Sequence, residues 1–134
     1  MKVLLIDDDE ELCTELSEVL EAEGFEVDTV FDGAQGLKYL RVRQYQIIVL
    51  DLKLPGLSGY GVLESVKKSA HPLKVLVLSG KPMGNALLKE NGVDGNGEEQ
   101  ILKMADAVMN KPFIVKEFLR QIKTLTKGIV ENSQ

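Results

Sequence analysis

A chain of 134 residues has room for one hydrophobic core, and an output domain of ordinary size does not fit beside it. With 44% apolar residues and only 5% aromatics, its composition is that of a folded interior of Val, Leu and Ile, not of a disordered or coiled-coil segment. A formal charge of −5 argues against a broad phosphate-backbone footprint, so direct nucleic-acid binding is not expected.

Residues 2–6, KVLLI, are a short and nearly continuous apolar run, which suits a strand buried on both faces of a parallel sheet. The run is too short for a signal-peptide core and meets acids at once, and no other segment is apolar enough to span a bilayer. A cytoplasmic location without membrane insertion is therefore expected. Residues 10–23 repeat apolar side chains at Leu12, Leu16, Val19 and Leu20 and stop at Gly24, the pattern of an amphipathic helix. Cys13, the one cysteine, lies on this helix; it has no disulfide partner in the chain and is expected to serve packing.

The alternation continues with a strand over 25–30, a helix over 34–42, a strand over 47–50, a helix over 59–68 and a strand over 75–78. A less regular stretch follows, rich in Gly84, Asn91, Gly92, Gly95, Asn96 and Gly97, in which 86–90 and 98–104 are read as two short helical pieces. A fifth strand over 107–109 and a last helix with inner face Phe118, Leu119, Ile122 and Leu125 complete the chain. Five strands alternating with helices predict an α/β three-layer sandwich: a five-stranded parallel sheet of order 2-1-3-4-5 with helices on both faces and right-handed crossovers. In such a sheet, ligands bind beyond the carboxyl ends of the central strands.

Chemistry-bearing residues stand at those ends. Asp7 and Asp8 follow the first strand and Asp51 follows the third, its predicted neighbour; clustered carboxylates of this kind suit a hard divalent cation, Mg²⁺ above all. Asp9 and Glu10 are read instead as capping the first helix, where an acid contributes about 0.3–1 kcal/mol. Ser79 ends the fourth strand and Lys111 follows the fifth. Together these side chains match what an acyl phosphate on Asp51 would require, with a metal, an ammonium and a hydroxyl for its oxygens.

The segments VLLIDDDE, IIVLDLKLPGLSGYGVL, VLVLSG and MNKPF, in that order, resemble the receiver domains of bacterial response regulators, including the single-domain chemotaxis type. The likeness runs from Met1 to about Lys127, which makes 1–127 the receiver unit and 128–134 a tail or the start of a linker. It implies a flavodoxin-like fold with Asp51 as phosphoacceptor and Asp7 and Asp8 as the acidic pair. Ser79 would be the switch hydroxyl and Lys111 the lysine of the KPF motif. Asp8, Asp51 and the main-chain carbonyl of Lys53 would then bind Mg²⁺ directly and Asp7 through water. The phosphodonor would be a sensor histidine kinase or a histidine phosphotransfer protein, and the output a surface for a downstream protein target, with a homodimer as a further candidate assembly.

The chain departs from the family pattern in two places. Val108 stands where many receivers carry a switching Tyr or Phe, and 32 positions separate Ser79 from Lys111, a long connection that suits either altered partner choice or an inert surface insertion. Lys53 and Lys81, each two positions after a site residue, are candidates for tuning the phosphorylated lifetime. Ser58 is read as an N-cap, and His71, in a loop before Pro72 and with no second histidine, is given no role. Two other readings are weaker on the residues: a receiver-like interaction domain that is never phosphorylated, and a haloacid dehalogenase-type phosphohydrolase using Asp7 and Asp9. A flavin phosphate site is disfavoured because three adjacent acids would repel it.

Overall fold

The computed structural model describes residues 1–69, 73–80 and 98–129. Strands β1 (Lys2–Ile6), β2 (Glu26–Val30), β3 (Ile47–Asp51), β4 (Lys74–Ser79) and β5 (Ala107–Asn110) form one parallel sheet in the order β2-β1-β3-β4-β5. Helices α1 (Glu10–Ala22), α2 (Gly33–Val42), α3 (Gly59–Lys67), α4 (Glu98–Leu102) and α5 (Val115–Thr126) cover it. The predicted class and strand order are those observed, and the strand and helix boundaries shift by one or two residues. Of the two helical pieces predicted in the long connection, the second is α4 and ends at Leu102, not at residue 104. The piece over 86–90, together with Lys81, His71 and the glycines of that connection, lies outside the described residues.

The apolar runs are continuous because both faces of the central strands are covered. Leu4, Ile6, Ile48, Leu50, Val75 and Val77 point to one side, against Val62, Leu63 and Val66 of α3 and the partly buried Leu37 and Leu40 of α2. Val3, Leu5, Ile47, Val49, Leu76 and Leu78 point to the other, against Cys13, Leu16 and Leu20 of α1 and Phe118 and Ile122 of α5. Leu119 and Leu125, predicted on the inner face of α5, are only partly buried; Thr126 takes a buried place, its hydroxyl donating to the Ile122 carbonyl at 2.8 Å.

Two helix ends fix how the chain meets the sheet. At the end of α1 the amides of Gly24 and Phe25 donate to the carbonyls of Glu21 and Leu20, at 3.0 and 3.1 Å. This pair of bonds needs a left-handed residue, supplied by Gly24 at φ 97°, and it delivers Phe25, partly buried, onto the core cluster to which Leu20 belongs. Ahead of α5, Phe113 stacks on Phe118 with ring centroids 5.8 Å apart. That contact between the residue before the N-cap and the fourth helical residue sets the angle at which the chain enters α5 from Lys111. Among the described residues no helix is long and apolar enough to cross a membrane.

A polar clip fastens the edge strand β2. The Asp28 carboxylate accepts the Tyr45 hydroxyl at 2.5 Å and the Arg43 guanidinium at 3.0 Å, and Arg43 lies over the Tyr39 ring. Burial alone would raise the Asp28 carboxyl, but the two hydrogen bonds and the guanidinium charge outweigh it and hold the group below the ordinary carboxylate range. The clip is at full strength above the unfolded pKa of an aspartate and is lost as pH falls through the lower folded value. Tyr45→Phe is expected to cost about 1 kcal/mol at pH 7, and the deficit should fade below about pH 4 as Asp28 protonates. Denaturant titrations of both proteins at pH 7 and pH 3 check it; an equal deficit at both values would contradict it.

Candidate functional site

The strand order places the carboxyl ends of β1, β3 and β4 side by side, and the candidate side chains stand at these ends and at that of β5. Asp7 follows β1, Asp51 closes β3 and Ser79 closes β4, exposed by only 3%, 5% and 3%. Lys111 follows β5, and its amide donates to the Ser79 carbonyl at 2.7 Å, so the ends of β4 and β5 are tied together. Asp8 is exposed on the rim. Asp9 turns away to cap α1, its Oδ1 accepting the Leu12 amide at 3.1 Å, and Ser58 caps α3 through the Gly61 amide at 3.3 Å, both as read from the sequence.

One oxygen from each of Asp7, Asp8 and Asp51 lies within 4.8 Å of the other two. The Lys111 ammonium rests on Asp7 Oδ2 at 2.8 Å and is 3.8 Å from Asp51 Oδ2. Local sequence gives no sign of this preference for Asp7, since the two residues are 104 positions apart. The second oxygens are also held: Asp7 Oδ1 accepts the Asp9 amide at 2.9 Å, and Asp51 Oδ1 accepts the Lys53 amide at 3.1 Å.

Burial first, then the Asp7 charge and to a lesser degree Asp8, push the Asp51 carboxyl up to about 6, against the opposing Lys53 amide and Lys111 ammonium. Burial would lower the Lys111 ammonium, but the bond and charge of Asp7 with the charges of Asp51 and Asp9 hold it above the ordinary lysine range. Burial, then the charges of Asp7 and Asp9, push the Cys13 thiol up to about 12. Its Sγ donates to the Asp7 carbonyl at 3.4 Å, which leaves this thiol a packing residue and not a nucleophile.

Among the described residues, three carboxylates face one ammonium and leave two negative charges in excess, which is what one divalent cation neutralises. The donors are hard oxygens, and exposed Asp8 leaves a side open to water, as suits Mg²⁺, which keeps part of its hydration shell. A shallow groove of about 1110 Å³ lies elsewhere, lined by Leu37, Leu40, Tyr45, Lys67, Leu73 and Lys74 at the opposite end of the sheet, and holds none of these carboxylates.

The sequence profile described as "Response regulator receiver domain" matches residues 3–123. The cell cycle response regulator CtrA of Brucella ovis is 35% identical over 127 residues, which cover 95% of this chain and 50% of CtrA. The transcriptional regulatory protein DltR of Streptococcus agalactiae is 30% identical over the same length, covering 95% and 52%; the chain thus spans about half the length of the curated relatives it matches. Among solved structures, the receiver domain of the Francisella response regulator 1452 superposes with a TM-score of 0.76 at 28% identity, covering 94% of this chain and 96% of that one. TrrA of Thermotoga maritima, solved with Mg²⁺ and BeF, gives 0.74 at 27% identity, covering 92% and 97%. TrrA has also been solved with the histidine kinase ThkA.

Because the folded pKa of Asp51 is raised, its ionisation weakens the fold as pH rises from the ordinary aspartate value of 3.8 to about 6. In EDTA at pH 8, Asp51→Asn should therefore be more stable than wild type, by at most about 3 kcal/mol. The gain should shrink below pH 4 and on adding Mg²⁺; melting curves at the two pH values, with and without the metal, measure it. A loss of stability at pH 8 would refute the assignment of Asp51 as a strained, buried carboxylate.

Proposed function

Because the chain belongs to the response regulator receiver domain family, we propose that it is a phosphorylation-activated switch whose acceptor is Asp51. The observation that carries this reading is the placing of a buried carboxylate at a strand end, with Asp7 and Asp8 on one side and the Lys111 ammonium 3.8 Å away. Asp8, Asp51 and the Lys53 carbonyl are the proposed direct Mg²⁺ ligands, with Asp7 acting through water. The bound ion would supply positive charge to the phosphoryl oxygens.

An Asp51 oxygen attacks the phosphorus of a phosphohistidine on a sensor kinase or phosphotransfer protein. The new O–P bond forms as the P–N bond breaks, and the histidine nitrogen leaves with the electron pair. Such a transfer needs its equatorial oxygens held more than it needs a base, so positioning and charge neutralisation do most of the work. Lys111 is already partly buried and aimed at this edge by the α5 staple. Phosphorylation gives Asp51 a new charge within reach of this ammonium, now lent to Asp7, and the Ser79 hydroxyl takes another phosphoryl oxygen. Water later hydrolyses the acyl phosphate and resets the switch. The complex of TrrA with Mg²⁺ and BeF, and its complex with a kinase, support both the chemistry and the class of donor. Output passes to a downstream protein, through a face whose β5 carries the exposed Val108 in place of an aromatic.

With acetyl phosphate and Mg²⁺ as a small donor, mass spectrometry should find one hydroxylamine-labile phosphoryl group per chain, absent in Asp51→Asn. Lys111→Ala should slow its formation about 100-fold. Unchanged labelling of Asp51→Asn would sink the reading. Lys53 is exposed beside the acceptor, and we propose that with Lys81 it shields the phosphoryl group from water. Lys53→Gln with Lys81→Gln should then shorten the phosphorylated half-life several-fold, and an unaltered rate of dephosphorylation would discard this role.

A further inference from the structure

The loop of residues 52–58, which joins Asp51 to α3 and carries Lys53, is confined by two glycines from different helices. Gly59, the first residue of α3, closes its neck: the Gly59 amide donates to the Leu52 carbonyl at 3.1 Å. A Cβ there would stand 2.3 Å from the Asp51 carbonyl oxygen and 2.6 Å from the Leu52 Cα, so the helix begins in direct contact with the acceptor's backbone. Gly33, the first residue of α2, braces the far side. A Cβ on Gly33 would stand 2.4 Å from the Leu57 carbonyl oxygen and 3.0 Å from Val62 Cγ2. Helix α2 is thus in backbone contact with a loop to which it is not connected in sequence.

We propose that Gly33 is a positioning residue for the metal site: its bare Cα lets the 52–58 loop lie low enough for the Lys53 carbonyl and the Asp51 carboxylate to share one cation. The inference rests on the Mg²⁺ reading of the site given above. A carbonyl oxygen has no rotamer with which to avoid a new methyl group, so at position 33 either the helix or the loop must move. The helix is the better anchored of the two. Asp32 caps it through the Gln35 amide at 2.8 Å, Gly36 lies against Ile6 of β1, and Arg43 just beyond its end is held by Asp28. The displacement falls on the loop, whose Lys53 amide holds Asp51 Oδ1. Misplacing one ligand by an ångström is enough to cost a large factor.

Gly36 supplies the control. A Cβ there would stand 2.6 Å from Ile6 Cδ1, the flexible end of a side chain, so it disturbs packing under α2 without touching the loop. Mg²⁺ binding to the full chain is measured by isothermal titration calorimetry, beside the melting temperature in EDTA. Gly33→Ala is expected to weaken Mg²⁺ about 10-fold, whereas Gly36→Ala lowers the melting temperature comparably and leaves the Mg²⁺ Kd within about twofold of wild type. The inference is overturned if Gly33→Ala binds Mg²⁺ like wild type, the loop having yielded at Gly56, or if Gly36→Ala loses as much affinity. Should Gly33→Ala fail to fold, Asp32→Ala removes the cap and loosens the first turn of α2 without adding an atom. A weaker Mg²⁺ Kd then supports the brace and an unchanged one overturns it. Wild-type protein that binds no Mg²⁺ would overturn the reading of the site itself, a result distinct from normal wild-type binding with an indifferent Gly33→Ala.

Discussion

Two carboxylates, Asp7 and Asp51, are buried at adjacent strand ends with the Lys111 ammonium between them. In such surroundings like charges repel with little screening, and each unpaired ionised group is costly to keep from water. The molecule meets this constraint locally. Backbone amides of Asp9 and Lys53 take one oxygen of each carboxylate, and Lys111 leans on Asp7, leaving Asp51 the less satisfied of the two. On the function proposed above, that residual imbalance is what a bound cation, and chemistry that alters the charge of Asp51, would act on.

Much of the scaffold can be understood as holding that imbalance in place. The sheet is buried on both faces, so its central strands cannot slip in register without exposing apolar side chains, and the strand ends are fixed relative to one another. The Phe113–Phe118 stack aims Lys111 across the sheet, and the Lys111 amide bound to Ser79 keeps the ends of β4 and β5 level. Asp106 does similar service at the other end of β5: its carboxylate takes both the Lys67 ammonium at 2.7 Å and the Val75 amide at 2.8 Å.

The parts of the fold legible in the sequence are those governed by period and by local chemistry. Runs such as 47–50 announce a doubly covered strand, Leu16 and Leu20 mark the buried stripe of α1, and Gly24, Asp9 and Ser58 mark helix ends by the hydrogen bonds that only such residues supply. Asp7, Asp51, Ser79 and Lys111 were legible as a set because all stand at strand ends, which the topology gathers. What escaped was long-range pairing. The approach of Arg43 and Tyr45 to Asp28 depends on where α2 ends over the sheet, which no periodicity reports. Asp7 and Asp8 are equal as letters, yet one is buried against the Lys111 ammonium and the other exposed, a difference that depends on where the end of β5 lies in space. A glycine such as Gly33 is ordinary until its neighbour across space is known to be a carbonyl.

The contact between Lys111 and Asp7 also bears on the order of events during synthesis. It joins the residue after the first strand to the residue after the last, across 104 positions, while Asp51 waits between them. A ribosome that has released β1 and β3 has made the acids but not the ammonium that steadies them. A nascent chain therefore carries both buried acids without the cation that steadies them, and their full electrostatic setting is assembled only when β5 and α5 have closed the sheet.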